Sequence, residues 1–420
     1  MSFDTLGLAE FIKQSIADLQ YENPSDIQKL AIPEVLAGKD IIAEAQTGTG
    51  KTAAFGLPIM QQINELPEKK KKISILSLTV VPTRELAIQV ATAFKAFAKH
   101  SPRKIKMISL IGGESIEDQI RGLRMGIDVV VATPGRLLEI IRRGEIRLVE
   151  LESLILDEAD KMLDLGFHDE LMALLEKLPK KRQNLFFSAT FPNKVLELSE
   201  AFLTEPVRLV VPKENLIVDS VVQRVIEVDT DKRRPLLQSF LEKEDWNQVM
   251  VFVASKKAAR NLAQKLTRDG FPATGLHGDL GQSERFEALK DFKNKKYRVL
   301  VATDIAARGI DVEKLSCVIN YDLPRSPLDY VHRIGRTGRA GEEGLALSFI
   351  DSESAAHFRV IEKKVSIGLE REQIEGFEFT GKIPKRIKGA APVKGKRKSK
   401  KDKLREQKAL GNKQQKKTDN

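Results

Sequence analysis

The stretch Ala45-Gln46-Thr47-Gly48-Thr49-Gly50-Lys51-Thr52 has residue types and spacing suited to gripping phosphate. Small residues let backbone N–H groups close around an anion, and residues 53–55 open a helix whose N-terminus favours negative charge. The apolar run Ile41-Ile42-Ala43 before it reads as a strand, completing the strand–loop–helix context that a phosphate-binding loop requires. In that context Thr47, Gly48, Thr49 and Gly50 wrap the phosphates, Lys51 reaches the outer ones, and the Thr52 hydroxyl ligates Mg2+. The strict pattern opens with glycine; Ala45 stands there instead and is small enough to fit. A glycine-rich turn without a ligand is the plainer alternative, which the context disfavours. The loop specifies a nucleoside triphosphate but not a reaction.

A second cluster, Asp157-Glu158-Ala159-Asp160, follows directly on Leu154-Ile155-Leu156. Carboxylates at the C-terminal end of a parallel strand stand where open α/β sheets bind their ligands. Asp157 is suited to hold Mg2+, directly or through water. Glu158 is suited to orient and deprotonate an attacking water, the general-base role in phosphoryl transfer. Acidic residues also favour the first turn of any helix on electrostatic grounds. The phosphate loop upstream tips the balance toward catalysis.

These residues need a scaffold. Apolar, β-rich runs at 40–43, 75–81, 107–111, 128–132, 153–156 and 184–187 alternate with helical patterns. Runs at 248–253, 273–276, 298–302, 317–320 and 344–349 do the same. Such alternation predicts an α/β fold of parallel sheets covered by helices. Glu205-Pro206 and Pro212-Lys213-Glu214-Asn215 interrupt it, which implies two sheets. The expected organisation is a nucleotide-binding domain over 1–207, a linker over 208–220, a second domain over 221–370 and a disordered basic tail over 381–420.

At 41% hydrophobic and 31% charged residues, the 420-residue chain can bury a sizeable core. Its formal charge is +11, yet residues 381–420 hold 16 Lys or Arg against 3 Asp or Glu, and the other 380 residues hold 54 against 56. The excess sits in the tail, so nonspecific attraction to phosphate is expected there, with a solubilising role as the alternative. Cys317 is the only cysteine, which excludes an intramolecular disulfide and a cysteine-based zinc site. The N-terminus lacks a secretory pattern and no apolar run approaches the roughly 20 residues of a membrane helix. A soluble, cytoplasmic protein is expected.

With Asp157-Glu158-Ala159-Asp160 the resemblance becomes specific: over about residues 1–370 the chain resembles the DEAD-box helicases. The motifs that carry the resemblance occur in order: Gln28, the phosphate loop, Pro82-Thr83-Arg84-Glu85-Leu86-Ala87, Gly112-Gly113, Thr133-Pro134-Gly135-Arg136 and Asp157-Glu158-Ala159-Asp160. They continue with Ser188-Ala189-Thr190, Thr303-Asp304-Ile305-Ala306-Ala307-Arg308-Gly309-Ile310-Asp311 and His332-Arg333-Ile334-Gly335-Arg336-Thr337-Gly338-Arg339. The short core with a basic tail is most similar to the bacterial RhlE subgroup. The resemblance implies two tandem RecA-like domains, with ATP and RNA bound across the cleft between them. Phe3 would stack on adenine, and Gln28 would read the adenine edge with a carboxamide that donates and accepts at once. Gln20-Tyr21 and Ser25-Asp26 depart from the family pattern around Gln28, where Gly-Phe and Thr-Pro are usual.

The resemblance further implies that Arg336 and Arg339 act as arginine fingers from the second domain and that Asp311 holds the ribose. Asp160, Ser188, Thr190, His332 and Arg333 would couple the nucleotide site to domain closure. RNA contacts would come from Arg84, Gly113, Thr133 and Arg136 in the first domain, and from Gln282, Arg285 and Thr303 in the second. Such contacts grip phosphates and 2′-hydroxyls without reading sequence. The implied activity is RNA-stimulated ATP hydrolysis coupled to local unwinding or remodelling, with a monomeric enzyme expected. An ATP-gated RNA clamp and a DNA translocase are the alternatives. His277 and Trp246 are assigned no chemistry, and Ser188 has no adjacent His–Asp constellation for nucleophilic catalysis.

Overall fold

The computed structural model describes residues 2–45, 48–66, 75–211, 221–307, 310, 312, 314–338 and 344–381. Thr47, Asp311, Arg339, residues 212–220 of the expected linker and the tail from 382 lie outside the described residues. The strands of the first domain are β1 (Ile41–Glu44), β2 (Ser77–Val80), β3 (Met107–Leu110), β4 (Val129–Ala132), β5 (Ser153–Asp157), β6 (Gln183–Ser188) and β7 (Val207–Val210). Those of the second are β8 (Val221–Glu227), β9 (Val249–Phe252), β10 (Ala273–Leu276), β11 (Val299–Ala302), β12 (Cys317–Asn320), β13 (Gly344–Ile350) and β14 (Arg371–Glu372). They form two seven-stranded sheets, ordered β3-β4-β2-β5-β6-β1-β7 and β10-β11-β9-β12-β13-β8-β14. Every strand pairing is parallel. Each number in the second order is the first plus seven, so the two domains are repeats of one doubly wound, RecA-like topology.

Parallel strands covered on both faces must be apolar throughout. β2, β4, β9, β11 and β12 accordingly have every residue buried. The phosphate-loop helix Lys51–Glu65 packs through Phe55, whose ring lies 5.9 Å from Phe94 and 5.1 Å from Phe187. That contact seats the helix against β6 and against the helix Arg84–Phe97, and so places the loop.

Three strands fall outside the runs read from the sequence. β7 is an edge strand pairing with β1, and it carries the first sheet to Val210, past the expected linker start at 208. Its Arg208 and Val210 face outward, which weakens its apolar signal. β8 contains Gln223 and Arg224, whose polarity is met by tertiary partners. Tyr330 donates to Gln223 at 2.9 Å, and Glu372 accepts from Arg224 at 2.6 Å. β14 has only two residues and carries the second sheet past the expected domain end at 370.

Candidate active site

The loop between β1 and the helix Lys51–Glu65 turns through Gly48 (φ 83°) and Gly50 (φ 86°), both left-handed. Glycine at position 50 is also required by contact, since a Cβ there would lie 2.4 Å from Gln28 Nε2. Gln28 sits in the first turn of the helix Asp26–Leu36. Its Oε1 accepts from the Ser25 N–H at 2.9 Å, and its Nε2 donates to the Gly50 carbonyl at 3.1 Å. The carboxamide thus ties that helix to the phosphate loop and retains one N–H and one lone pair, the combination an adenine edge demands. Phe3, in the short 3-10 turn Phe3–Leu6, is 6% exposed and packs into the core of the first domain.

Lys51 is buried, and its Nζ has no hydrogen-bond partner among the described residues. Its nearest counter-charge is Asp157 Oδ1 at 3.9 Å. A buried ammonium left this way is costly unless an anion completes it, so the site fits a bound phosphate. Thr52 is the second residue of the same helix. Among the described residues no cluster of three or more His, Cys, Asp or Glu could enclose a metal. An ion held by Thr52 and Asp157 would take most of its ligands from phosphate oxygens and water, the usual situation for Mg2+.

Asp157 ends β5 and is buried; that burial pushes its carboxyl up to about 6, against the pull of Lys51. Glu158 follows with φ 55°, ψ 46°, a left-handed conformation costing about 1–3 kcal/mol for a non-glycine residue. Burial would raise its carboxyl, but Lys161 and Lys51 together hold it below the usual range. Glu158 Oε1 accepts from Lys161 Nζ at 2.7 Å, whereas Oε2 is buried without a partner among the described residues. The site therefore holds one raised and one lowered carboxyl side by side, a perturbation of the kind that clusters at functional sites.

Asp160, Ser188 and Thr190 close into a ring. The Asp160 N–H donates to Ser188 Oγ (3.2 Å), Ser188 Oγ donates to the Thr190 carbonyl (2.8 Å), and Thr190 N–H and Oγ1 both donate to Asp160 Oδ2 (3.0 and 2.8 Å). His332 of the second domain comes near this cluster; burial and then Lys161 push its imidazole down to about 4, so it is neutral at pH 7. Arg333 is fully buried in the second domain. It donates to both carboxylate oxygens of Asp304 (2.6 and 2.8 Å) and to Asn320 and the Asp322 carbonyl, with its guanidinium 4.7 Å over the Phe252 ring. Arg336 is buried and donates to the carbonyls of Ile310 (2.6 Å) and Ala307 (3.3 Å).

Five of the residues expected to face RNA, Arg136, Gly113, Arg84, Gln282 and Arg285, are neighbours directly or through one adjacent residue. Arg136 donates to the Glu114 carbonyl (3.0 Å), and a Cβ on the adjacent Gly113 (φ 81°) would lie 2.2 Å from Arg84 Nη1. Arg84 reaches across the domain seam to Gln282 Oε1 at 3.5 Å, and Arg285 pairs with Glu85 at 2.7 Å. Thr133 caps the helix Pro134–Arg142, and Thr303 follows β11; both are buried. Glu85 and Lys161 stand in or beside the motifs, yet residue type alone assigns them no role. Each acquires its significance from a partner, and for Glu85 that partner, Arg285, is far away in sequence.

Comparison with known proteins agrees with this arrangement. Residues 25–198 match the family model described as DEAD/DEAH box helicase, and residues 231–341 match helicase conserved C-terminal domain. The chain is 39% identical over 370 residues to the DEAD-box ATP-dependent RNA helicase CshA of Geobacillus kaustophilus, covering 88% of this chain and 78% of that one. It is 39% identical over 371 residues to CshA of Bacillus subtilis, covering 88% and 74%. The structure of S. cerevisiae Dbp5 bound to RNA and ADP BeF3 is similar with a TM-score of 0.79 at 33% identity, over 89% of this chain and 95% of that one. Mss116p bound to ssRNA and AMP-PNP is similar with a TM-score of 0.79 at 28% identity, over 89% and 80%. With its motifs in order on two repeated sheets and relatives matched over most of its length, the chain belongs to the DEAD/DEAH box helicase family.

Proposed function

We propose that the chain couples RNA-stimulated ATP hydrolysis to local unwinding or remodelling of RNA, gripping one strand across both domains. As a family member it is an ATP-dependent RNA helicase and an ATP hydrolase. The observation that carries the site assignment is the buried Lys51 Nζ close to Asp157, with Glu158 Oε2 beside them, both atoms without a hydrogen-bond partner among the described residues. Gln28 and Phe3 take adenine, residues 47–52 take the phosphates, and Asp311 takes the ribose. Mg2+, held by Thr52 and Asp157, supplies charge neutralisation on the phosphate oxygens. Glu158 Oε2 accepts a proton from water as the new P–O bond forms, while the bridging P–O bond breaks and its electrons leave with ADP. Arg336 exchanges its carbonyl partners for the transferring phosphoryl group, joined by Arg339, so turnover depends on domain closure.

RNA lies along Thr133, Arg136, Gly113 and Arg84, and then Gln282, Arg285 and Thr303. The direct Arg84–Gln282 and Glu85–Arg285 contacts support a single binding line spanning both domains. No helix among the described residues is long and apolar enough to cross a membrane. A cytoplasmic location and the RhlE-type subgroup are finer parts of the same proposal, the latter resting on the short core and basic tail. The deciding experiment is steady-state ATPase activity without nucleic acid, with single-stranded RNA, and with single-stranded DNA. Stimulation by RNA alone is expected. Equal stimulation by DNA would remove the RNA specificity, and activity independent of either would remove the coupling.

A further inference from the structure

Lys161 follows the acidic cluster immediately, and neither the motif pattern nor the phosphate site calls for a cation there. Its side chain is only 6% exposed, and that of Glu158 only 4%. A buried ammonium and carboxylate at 2.7 Å form a directional, charge-assisted bond that water does not contest. The bond uses only Oε1 of Glu158. Oε2 keeps no partner among the described residues, and the neighbouring Lys51 pairs with Asp157 instead. Both ends of the pair are themselves held. The Glu158 N–H donates to Asp157 Oδ1 at 2.9 Å, and the Lys161 N–H donates to Asp160 Oδ1 at 3.0 Å. Asp160 is in turn bound twice by Thr190. The turn that carries Lys161 is thereby fixed to the backbone after β6.

We propose that Lys161 is a positioning residue for hydrolysis: it holds one oxygen of Glu158 so that the other stands ready for the attacking water. This rests on the general-base reading of Glu158 given above. A carboxylate with both oxygens free samples several rotamers, and small misplacements of a base are costly in rate. Tethering one oxygen selects one rotamer before ATP arrives.

The test uses the full chain in four forms: Lys161→Met, Lys161→Arg, Glu158→Gln, and the double variant combining Lys161→Met with Glu158→Gln. Lys161→Met should lower kcat about tenfold while leaving KM for ATP and the half-saturating RNA concentration unchanged. Lys161→Arg, which keeps a donor, should recover most of the loss. In the Glu158→Gln background, Lys161→Met should cost nothing more. Without nucleotide, Lys161→Met should lower the thermal midpoint by stranding a buried carboxylate, and adding Glu158→Gln should restore it. An unchanged or higher kcat in Lys161→Met, or an equal loss in both backgrounds, overturns the inference. If Glu158→Gln alone turns over normally, the general-base reading fails first; if it is inactive while Lys161→Met is normal, only the role of Lys161 fails.

Discussion

The two domains place a cation at the same topological position and use it in opposite ways. In each, the helix after the sixth strand of the sheet order opens with a basic residue: Lys51 after β1, Arg233 after β8. In the first domain the intervening loop contains Gly48 and Gly50, and Lys51 Nζ has no hydrogen bond among the described residues. In the second domain the loop is Val228-Asp229-Thr230-Asp231-Lys232, with no glycine. There Arg233 donates to the Tyr321 carbonyl at 3.0 Å, to Asp322 at 2.9 Å and to Asp351 at 2.7 Å. Asp322 lies just past β12, the counterpart of β5, and Asp351 just past β13, the counterpart of β6. The repeat thus fills from within the place that, in its partner, is proposed to take phosphate. The site is where the fold withholds a partner that it supplies elsewhere.

The sharpest way to break this comparison is Lys51→Met. Turnover should fall by more than about 100-fold if the lysine serves the transferred phosphates as proposed, yet the thermal midpoint of the free protein should not drop. A large loss of stability would mean that Lys51 is as structural as Arg233. The reciprocal change, Arg233→Met, strands two carboxylates and should cost roughly 3 kcal/mol in denaturant unfolding, the low end for a broken buried pair because Asp322 is a quarter exposed. ATP affinity of the folded fraction should be unchanged. A nucleotide-binding defect would instead give the second domain a part in the phosphate site.

Smaller effects sharpen the division between the nucleotide side and the seam. Glu85→Gln removes the ion pair with Arg285 and should weaken half-saturation by RNA about fivefold, equivalent to about 1 kcal/mol, with little change in kcat. A fall in kcat at saturating RNA would tie the pair to chemistry. Removing residues 381–420 should have the mildest effect, lowering RNA affinity and flattening its salt dependence while preserving the saturated ATPase rate. Titrating RNA at several salt concentrations decides this, and a collapsed maximal rate would bring the tail into the catalytic unit.

Legibility from sequence followed the type of force involved. The eleven strands expected from apolar runs were readable because a parallel strand covered on both faces leaves no room for polar residues. β7, β8 and β14 escaped because they sit toward the sheet edges and carry polar positions. In β8 these are answered by partners distant in the chain, Glu372 for Arg224 and Tyr330 for Gln223. Lys51, Asp157 and Glu158 stood out in the sequence because phosphate chemistry demands fixed residue types at the ends of particular strands, and the structure places the three together. Arg336 was legible as a type, but not its seat against the Ile310 and Ala307 carbonyls.

By itself the sequence determined the two-sheet α/β class, the phosphate loop, the acidic pair and the family, since each is written in local runs of residue type. Only the tertiary structure decided which cations are satisfied and which are left open. Lys51 and Arg233 look alike as helix-opening basic residues, and Lys161 looks like a surface lysine. Their roles differ because hydrogen-bond partners and burial are set by chain segments far apart in sequence, brought together when the sheets form.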